Sequence, residues 1–163
     1  MKLKELEIVN TSQKLYDSFN GFILSPDTKV FGKLLARTLL AEQVKDLPGD
    51  IVECGVFKGT GMLTFLKLKR FLCPNSGKKV VGFDFFDSEA LIDSLSGIDK
   101  EAMNTLFCER EYKHDRNHVL LFRDFVRQCG FEEHEFELVA GDITETAAKY
   151  VSERPGFRIS LLY

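Results

Sequence analysis

Three acids and three glycines carry most of the chemistry open to this chain. Glu53 lies in an apolar run, Ile51 to Cys54, that opens into Gly55-x-x-x-Gly59-x-Gly61. Asp84 ends a second apolar run and begins Asp84-Phe85-Phe86-Asp87, and Asp142 follows Gly141 after a third. Glycines spaced in this way let a backbone turn sharply, approach a ligand closely and present a helix N-terminus to it. A carboxylate ending the next strand can accept both hydroxyls of an adenosine ribose. Acid, glycine turn, helix and second acid together form the layout of a nucleotide-type cofactor site at the top of a parallel sheet. Each part also has a plainer reading: a tight turn without ligand, a capping aspartate at Asp84, and core aromatics at Phe85 and Phe86.

Glu53 bears on which cofactor. A pyrophosphate would be repelled by it, whereas a ligand carrying an ammonium group would be drawn to it. S-adenosylmethionine has an amino group and a sulfonium and no phosphate, so Glu53 favours it over NAD. The alternative is a structural carboxylate that orients the loop. Asp142 likewise has two readings, one near an adenine amino group and one as the cap in Asp142-x-x-Glu145. The rival enzyme is an NAD(P)-dependent oxidoreductase, which shares the glycine loop and the Asp84 position but not the GxGxxG spacing. A non-catalytic cofactor-binding module is the rival from another class.

A base is needed if a hydroxyl is to lose its proton. The histidines are His114, His118 and His134. His114 is the choice for that role because it falls in an out-of-pattern segment. His114 and His118 are four apart, a metal-binding spacing on a helix, although a solvated polar face is the commoner outcome. His134, among glutamates, is expected at the surface. Lys67, Lys69 and Arg70, and Lys78 with Lys79, are expected to be solvated flanks.

The elements that position these residues follow from periodicity. The first fifty residues read as helical, with Asn20-Gly21 as a stop and Ser25-Pro26 as an N-cap and first-turn proline. Residues 1–46 are thus an N-terminal helical segment, and 47–163 a Rossmann-like domain. Strands are expected at Ile51 to Cys54, Lys79 to Asp84, Glu135 to Val139 and Phe157 to Tyr163. Helices are expected at Thr60 to Leu72, Asn117 to Cys129 and Thr144 to Ser152. Strand and helix in alternation mean an α/β fold, a doubly wound, mostly parallel sheet. Residues 88–116 break the repeat and read as a lid-like insertion.

The chain has 163 residues, 44% hydrophobic and 29% charged, with a formal net charge of −3. That is one domain with a core, and the acidic balance argues against nucleic acid as a partner. Cys54, Cys73, Cys108 and Cys129 form no CxxC pair, as expected of reduced thiols in a cytoplasmic protein. No apolar run suits a membrane span.

Residues 48–59, Pro-Gly-Asp-Ile-Val-Glu-Cys-Gly-Val-Phe-Lys-Gly, resemble the signature of the macrocin O-methyltransferase (TylF-type) family. Val81 to Asp87 matches that family's second-strand motif; Cys129-Gly130-Phe131 and Val139 to Asp142 with Thr146 fit its third-strand region less tightly. The resemblance implies a class I S-adenosylmethionine-dependent methyl transfer to a hydroxyl of a small molecule, typically a sugar on a natural product. It implies that Gly55, Gly59, Gly61 and Glu53 form the methionine end of the pocket, with Asp84 at the ribose and Asp142 at the adenine. It also implies a divalent metal, Mg being the expectation, whose acids begin just past the fourth strand. Phe57 and Lys58 stand where the family usually has Trp and Arg. Because the sequence ends on an apolar strand, further strands and the metal ligands are expected beyond Tyr163. The exposed edge invites pairing with another chain, so a homo-oligomer is open.

Overall fold

Short β-branched runs become the strands. The computed structural model describes residues 12–110 and 118–163. Its sheet consists of β1 (Asp50–Cys54), β2 (Val80–Asp84), β3 (Phe136–Ala140) and β4 (Ile159–Leu162). All pairs are parallel, in the order β3-β2-β1-β4. The chain therefore winds outward from β1 to β3, then crosses to the far side of β1. At such a reversal the carboxyl ends of the strands leave a crevice.

Seven helices surround the sheet among the described residues: α1 (Ser12–Leu24), α2 (Thr28–Val44), α3 (Thr60–Leu72), α4 (Ser88–Ser94), α5 (Gly97–Arg110), α6 (His118–Gln128) and α7 (Ile143–Ser152). Alternation along the strands divides the core. Ile51, Val80, Phe136, Leu138 and Leu161 pack with Ala41, Met62, Phe65, Leu66 and Phe122 on one face. Val52, Val81 and Phe83 pack with Tyr150 of α7 on the other. Helices on both faces of a parallel sheet make the fold doubly wound, as the sequence pattern requires.

Four details depart from the sequence reading. Helix α1 runs through Asn20-Gly21 and ends at Leu24, because the residue before Pro26 disfavours helix more strongly than glycine does. Asp27, not Ser25, caps α2; its carboxylate accepts from Lys29 N at 2.7 Å. A charged acceptor suits a helix N-terminus better than a hydroxyl does.

The third departure is the basic cluster on α3. Lys69 is buried, 3.5 Å from Glu135, and Arg70 donates to Glu135 at 2.7 Å while its guanidinium stacks over Phe131. Arg70, with Lys69 beside it, holds the Glu135 carboxyl down at about 2. These cations pin α3 to the turn before β3. Lys78 is buried too, and its ammonium donates to the carbonyls of Leu47 and Gly49. The fourth concerns β4, which begins at Ile159 and not at Phe157. Leu161 faces the core, but Ile159 and Leu162 are exposed, and β4 pairs only with β1 among the described strands.

Within residues 88–116, α4 starts on an Asp87 cap that accepts from Glu89 N and Ala90 N. Ser88, at the start of α4, and Phe107, in α5, are buried.

Candidate functional site

The turn after β1 is built by three glycines with three separate tasks. Gly59 is the N-cap of α3, at φ +78°, and a Cβ there would sit 2.0 Å from the Phe122 ring. Gly61 lies under Glu53, whose Oε1 a Cβ would meet at 1.8 Å. Gly55, at φ +89°, has nothing within 4 Å of its Cβ position. Two of the glycines therefore serve packing, and Gly55 alone leaves open space in front of the backbone. Because Gly59 supplies no side-chain cap, the N-terminus of α3 is open to acceptors from elsewhere.

Glu53 is one such acceptor. Its side chain lies in the interior at 3% exposure, and its Oε2 has no hydrogen-bond partner. Burial pushes its carboxyl up to about 7, against the pull of the Arg37 guanidinium and the Met62 N–H; Asp84 adds to the rise. Arg37 comes from the middle of α2. One of its terminal nitrogens is 3.9 Å from Glu53 Oε1, its Nε is buried without a partner, and its guanidinium lies 5.0 Å from the centroid of the Tyr163 ring. A buried acid beside a half-buried arginine, each with a buried atom left unsatisfied, is a costly arrangement unless a ligand completes it.

Asp84 stitches the first two turns together. Its Oδ2 accepts from Phe57 N at 2.7 Å and its Oδ1 from Phe86 N at 3.1 Å. Both phenylalanines have left-handed backbones, φ +50° and +53°, which cost energy for a residue with a side chain. The carboxylate holds both in place. A carboxylate offers about four lone-pair sites, so roughly two remain for a ligand.

Arg37 and Glu53 line one cavity of about 560 Å³, walled by Phe22, Val30, Lys33 and Leu34 of the N-terminal helices and by Gly55, Phe57 and Gly61 of the turn; Asp84 and Gly59 do not line it. That size suits a small organic ligand. A cavity of about 400 Å³ at the opposite end of β1, between Lys45 and Lys78, lies away from all of these acids.

Asp142 sits on the same edge of the sheet, beyond the pairing of Asp84 with Ala140. It caps α7, with Oδ1 accepting from both Thr144 N and Thr144 Oγ1 at 2.8 Å. Those bonds hold its carboxyl below the ordinary aspartate value. It does not line the cavity. His118 is buried and stacked on Phe122, centroids 6.5 Å apart, so it is no solvated face. His134 is exposed, as expected. His114 lies outside the described residues.

Among the described residues no group of three or more His, Cys, Asp or Glu side chains is placed to hold a metal ion. The divalent metal that the resemblance implies therefore has no ligand set among the described residues. Among the described residues no helix is long and apolar enough to cross a membrane. Sequence reasoning missed Arg37. Its signal was an arginine at helical spacing with Val30, Leu34, Ala41 and Val44, where an apolar residue belongs.

No family model matches the chain, and no curated protein matches it. Solved structures do. The crystal structure of CalS11, a calicheamicin methyltransferase, is similar with a TM-score of 0.70 and 23% identity, over 99% of this chain and 63% of that one. The apo structure of CalS11, a TDP-rhamnose 3′-O-methyltransferase in calicheamicin biosynthesis, is similar with a TM-score of 0.59 and 25% identity, over 99% and 62%. The chain spans less than two thirds of the length of CalS11, and it has the Rossmann-like fold of a methyltransferase.

Proposed function

We propose that this chain binds S-adenosylmethionine and belongs to an O-methyltransferase acting on a hydroxyl of a small molecule, a sugar or sugar-bearing natural product. The observation that carries the reading is the Arg37–Glu53 pair beside Gly55. An α-amino acid head group is a zwitterion, and the pair is its complement. Glu53 Oε2 would accept from the ammonium, and Arg37 Nε would donate to the carboxylate. Gly55 leaves room for the chain between head group and nucleoside. Asp84, on the neighbouring strand, would accept the ribose hydroxyls with its remaining lone pairs. The likeness to CalS11 and the resemblance to the macrocin O-methyltransferases support the same assignment.

When bound, the cofactor supplies an electrophilic methyl group on a sulfonium. The residues of this chain contribute position and exclusion of water. Glu53 and Arg37 fix one end, Asp84 the other, so the methyl group is held at one place above the sheet edge. Phe57 and Lys58 line the cavity and would border the acceptor. His114 is the proposed base, and Asp142 orders the adenine side through the α7 cap. The metal that the macrocin resemblance implies would need ligands other than the described residues.

Calorimetric titration with S-adenosylhomocysteine and, separately, with NAD tests the reading. Binding of the first and not the second is expected. Asp84→Ala should weaken that binding by one or two charge-assisted hydrogen bonds, about 1.5–3 kcal/mol each, with thermal unfolding followed as a check on the stitched turns. Tight NAD binding would overturn the assignment, and unchanged affinity in the variant would remove Asp84 from the site.

A further inference from the structure

We propose that the outer face of α1 and α2 is a self-association surface, through which two copies of this chain pair. Helix α1 has no buried residue. It nevertheless carries Leu15, Tyr16, Phe19 and Ile23 in one stripe, each 47–61% exposed. Helix α2 carries Phe31, Leu35 and Leu39 in another, 48–56% exposed, on the side turned away from Ala41 and Val44. The two stripes join where Phe22 stacks on Phe31, centroids 6.2 Å apart. A monomeric soluble protein seldom leaves a continuous apolar face of this kind in water.

Size and charge point to a second copy. Seven side chains of roughly 150–200 Å², about half exposed, offer on the order of 600 Å² per copy. Two copies would bury roughly 1,200 Å² in total, the lower bound of a specific, stable interface. A two-fold contact must tolerate its own charges. The only ionic side chains of α1 are Lys14 and Asp17, and Asp17 accepts from Gln13 at 2.7 Å. Such a face does not repel its copy. Helix α1, with Lys14 as its one cation, also lacks the lysines and arginines of a helix that lies on a membrane surface; α2 carries Lys29, Lys33 and Arg37, of which Lys33 and Arg37 line the cavity. Helices α1 and α2 wall the cofactor cavity through Phe22, Val30, Leu34 and Arg37, so pairing would hold that wall in place.

Sedimentation velocity on the 163-residue chain, over two decades of concentration, reads the outcome. A monomer–dimer equilibrium is expected, and Phe19→Glu and Leu35→Glu should each weaken it at least tenfold. Both residues are exposed, so circular dichroism should stay unchanged, as should Tm at concentrations where the wild type is itself monomeric. Leu162→Lys, on the exposed edge strand, should leave the dimer intact. A wild-type chain monomeric throughout would overturn the proposal. So would open-ended assembly, a dimer split by Leu162→Lys but not by the helix substitutions, or flotation of the wild type with anionic vesicles that Phe19→Glu abolishes.

Discussion

Two strand-to-helix turns stand on the same edge of this sheet, and they end in opposite ways. After β3, Gly141 turns the chain and Asp142 closes the N-terminus of α7 with its own side chain. After β1, Gly55 turns the chain and Gly59 leaves the N-terminus of α3 without a side-chain cap. The first turn satisfies itself. The second leaves a buried carboxylate and a half-buried guanidinium, each with a buried atom unsatisfied. A sheet edge built throughout on the first pattern would be more stable and would offer nothing to a ligand. What separates a structural turn from a candidate site here is local incompleteness.

The contrast is broken most severely at Gly59. Gly59→Ala would force a Cβ into the Phe122 ring and hold a left-handed backbone on an L-residue, costing about 3–5 kcal/mol. Gly141→Ala in the self-satisfied turn meets only the Thr146 methyl, at 3.0 Å, and should cost about 1–2 kcal/mol. Urea denaturation of both variants measures the difference; equal costs would mean that the first turn is no more tightly packed than the second.

Glu53→Gln comes next and acts through pH. The folded carboxyl titrates near 7 against an unfolded value of 4.5. A raised acid keeps its proton in the folded state, so its contribution is full below pH 4.5, falls as pH rises to about 7, and stays flat above. The wild type should lose about 3 kcal/mol over that window relative to the Gln variant. Parallel stability–pH profiles for the two proteins would show that Glu53 is not raised.

Gly55→Ala should cost only about 1–2 kcal/mol, since its Cβ meets nothing but adopts φ +89°. Its effect belongs on the ligand, with S-adenosylhomocysteine affinity reduced at least tenfold. Undiminished affinity would show that the open space is not where the ligand lies. Asp142→Ala gives the smallest change, a small loss of Tm from the missing α7 cap, with the cofactor affinity nearly unchanged. An affinity loss above tenfold would bring Asp142 into contact with the ligand.

The parallel sheet and its helices were legible because apolar runs of four or five residues alternate with helical periodicity, and Gly130 and Pro48-Gly49 punctuate them. Glu53, Gly55 and Asp84 were legible as a group because strand ends and glycine turns are local in sequence. The division of labour among the glycines was not, since it depends on Phe122 and Glu53, which reach Gly59 and Gly61 from outside the turn. Arg37 was hidden for the same reason: its partners, Glu53 and Tyr163, are distant in sequence. The buried Lys69 and Lys78 looked like solvated charge because pattern alone does not show a carboxylate or a pair of carbonyls waiting for them. The left-handed Phe57 and Phe86 carry no sequence signal at all, since neither is a glycine or an asparagine.

The most direct test of the incomplete turn is the pH dependence of S-adenosylhomocysteine affinity. A ligand ammonium beside Glu53 favours the ionised carboxylate, so binding must expel its proton below about pH 7. Affinity should rise roughly tenfold between about pH 6 and pH 8, with proton release visible as a buffer-dependent heat. Glu53→Gln should bind more weakly and without that slope. A wild-type affinity flat across this range, or a slope that survives in the Gln variant, would contradict the assignment of Glu53 to the ligand's ammonium.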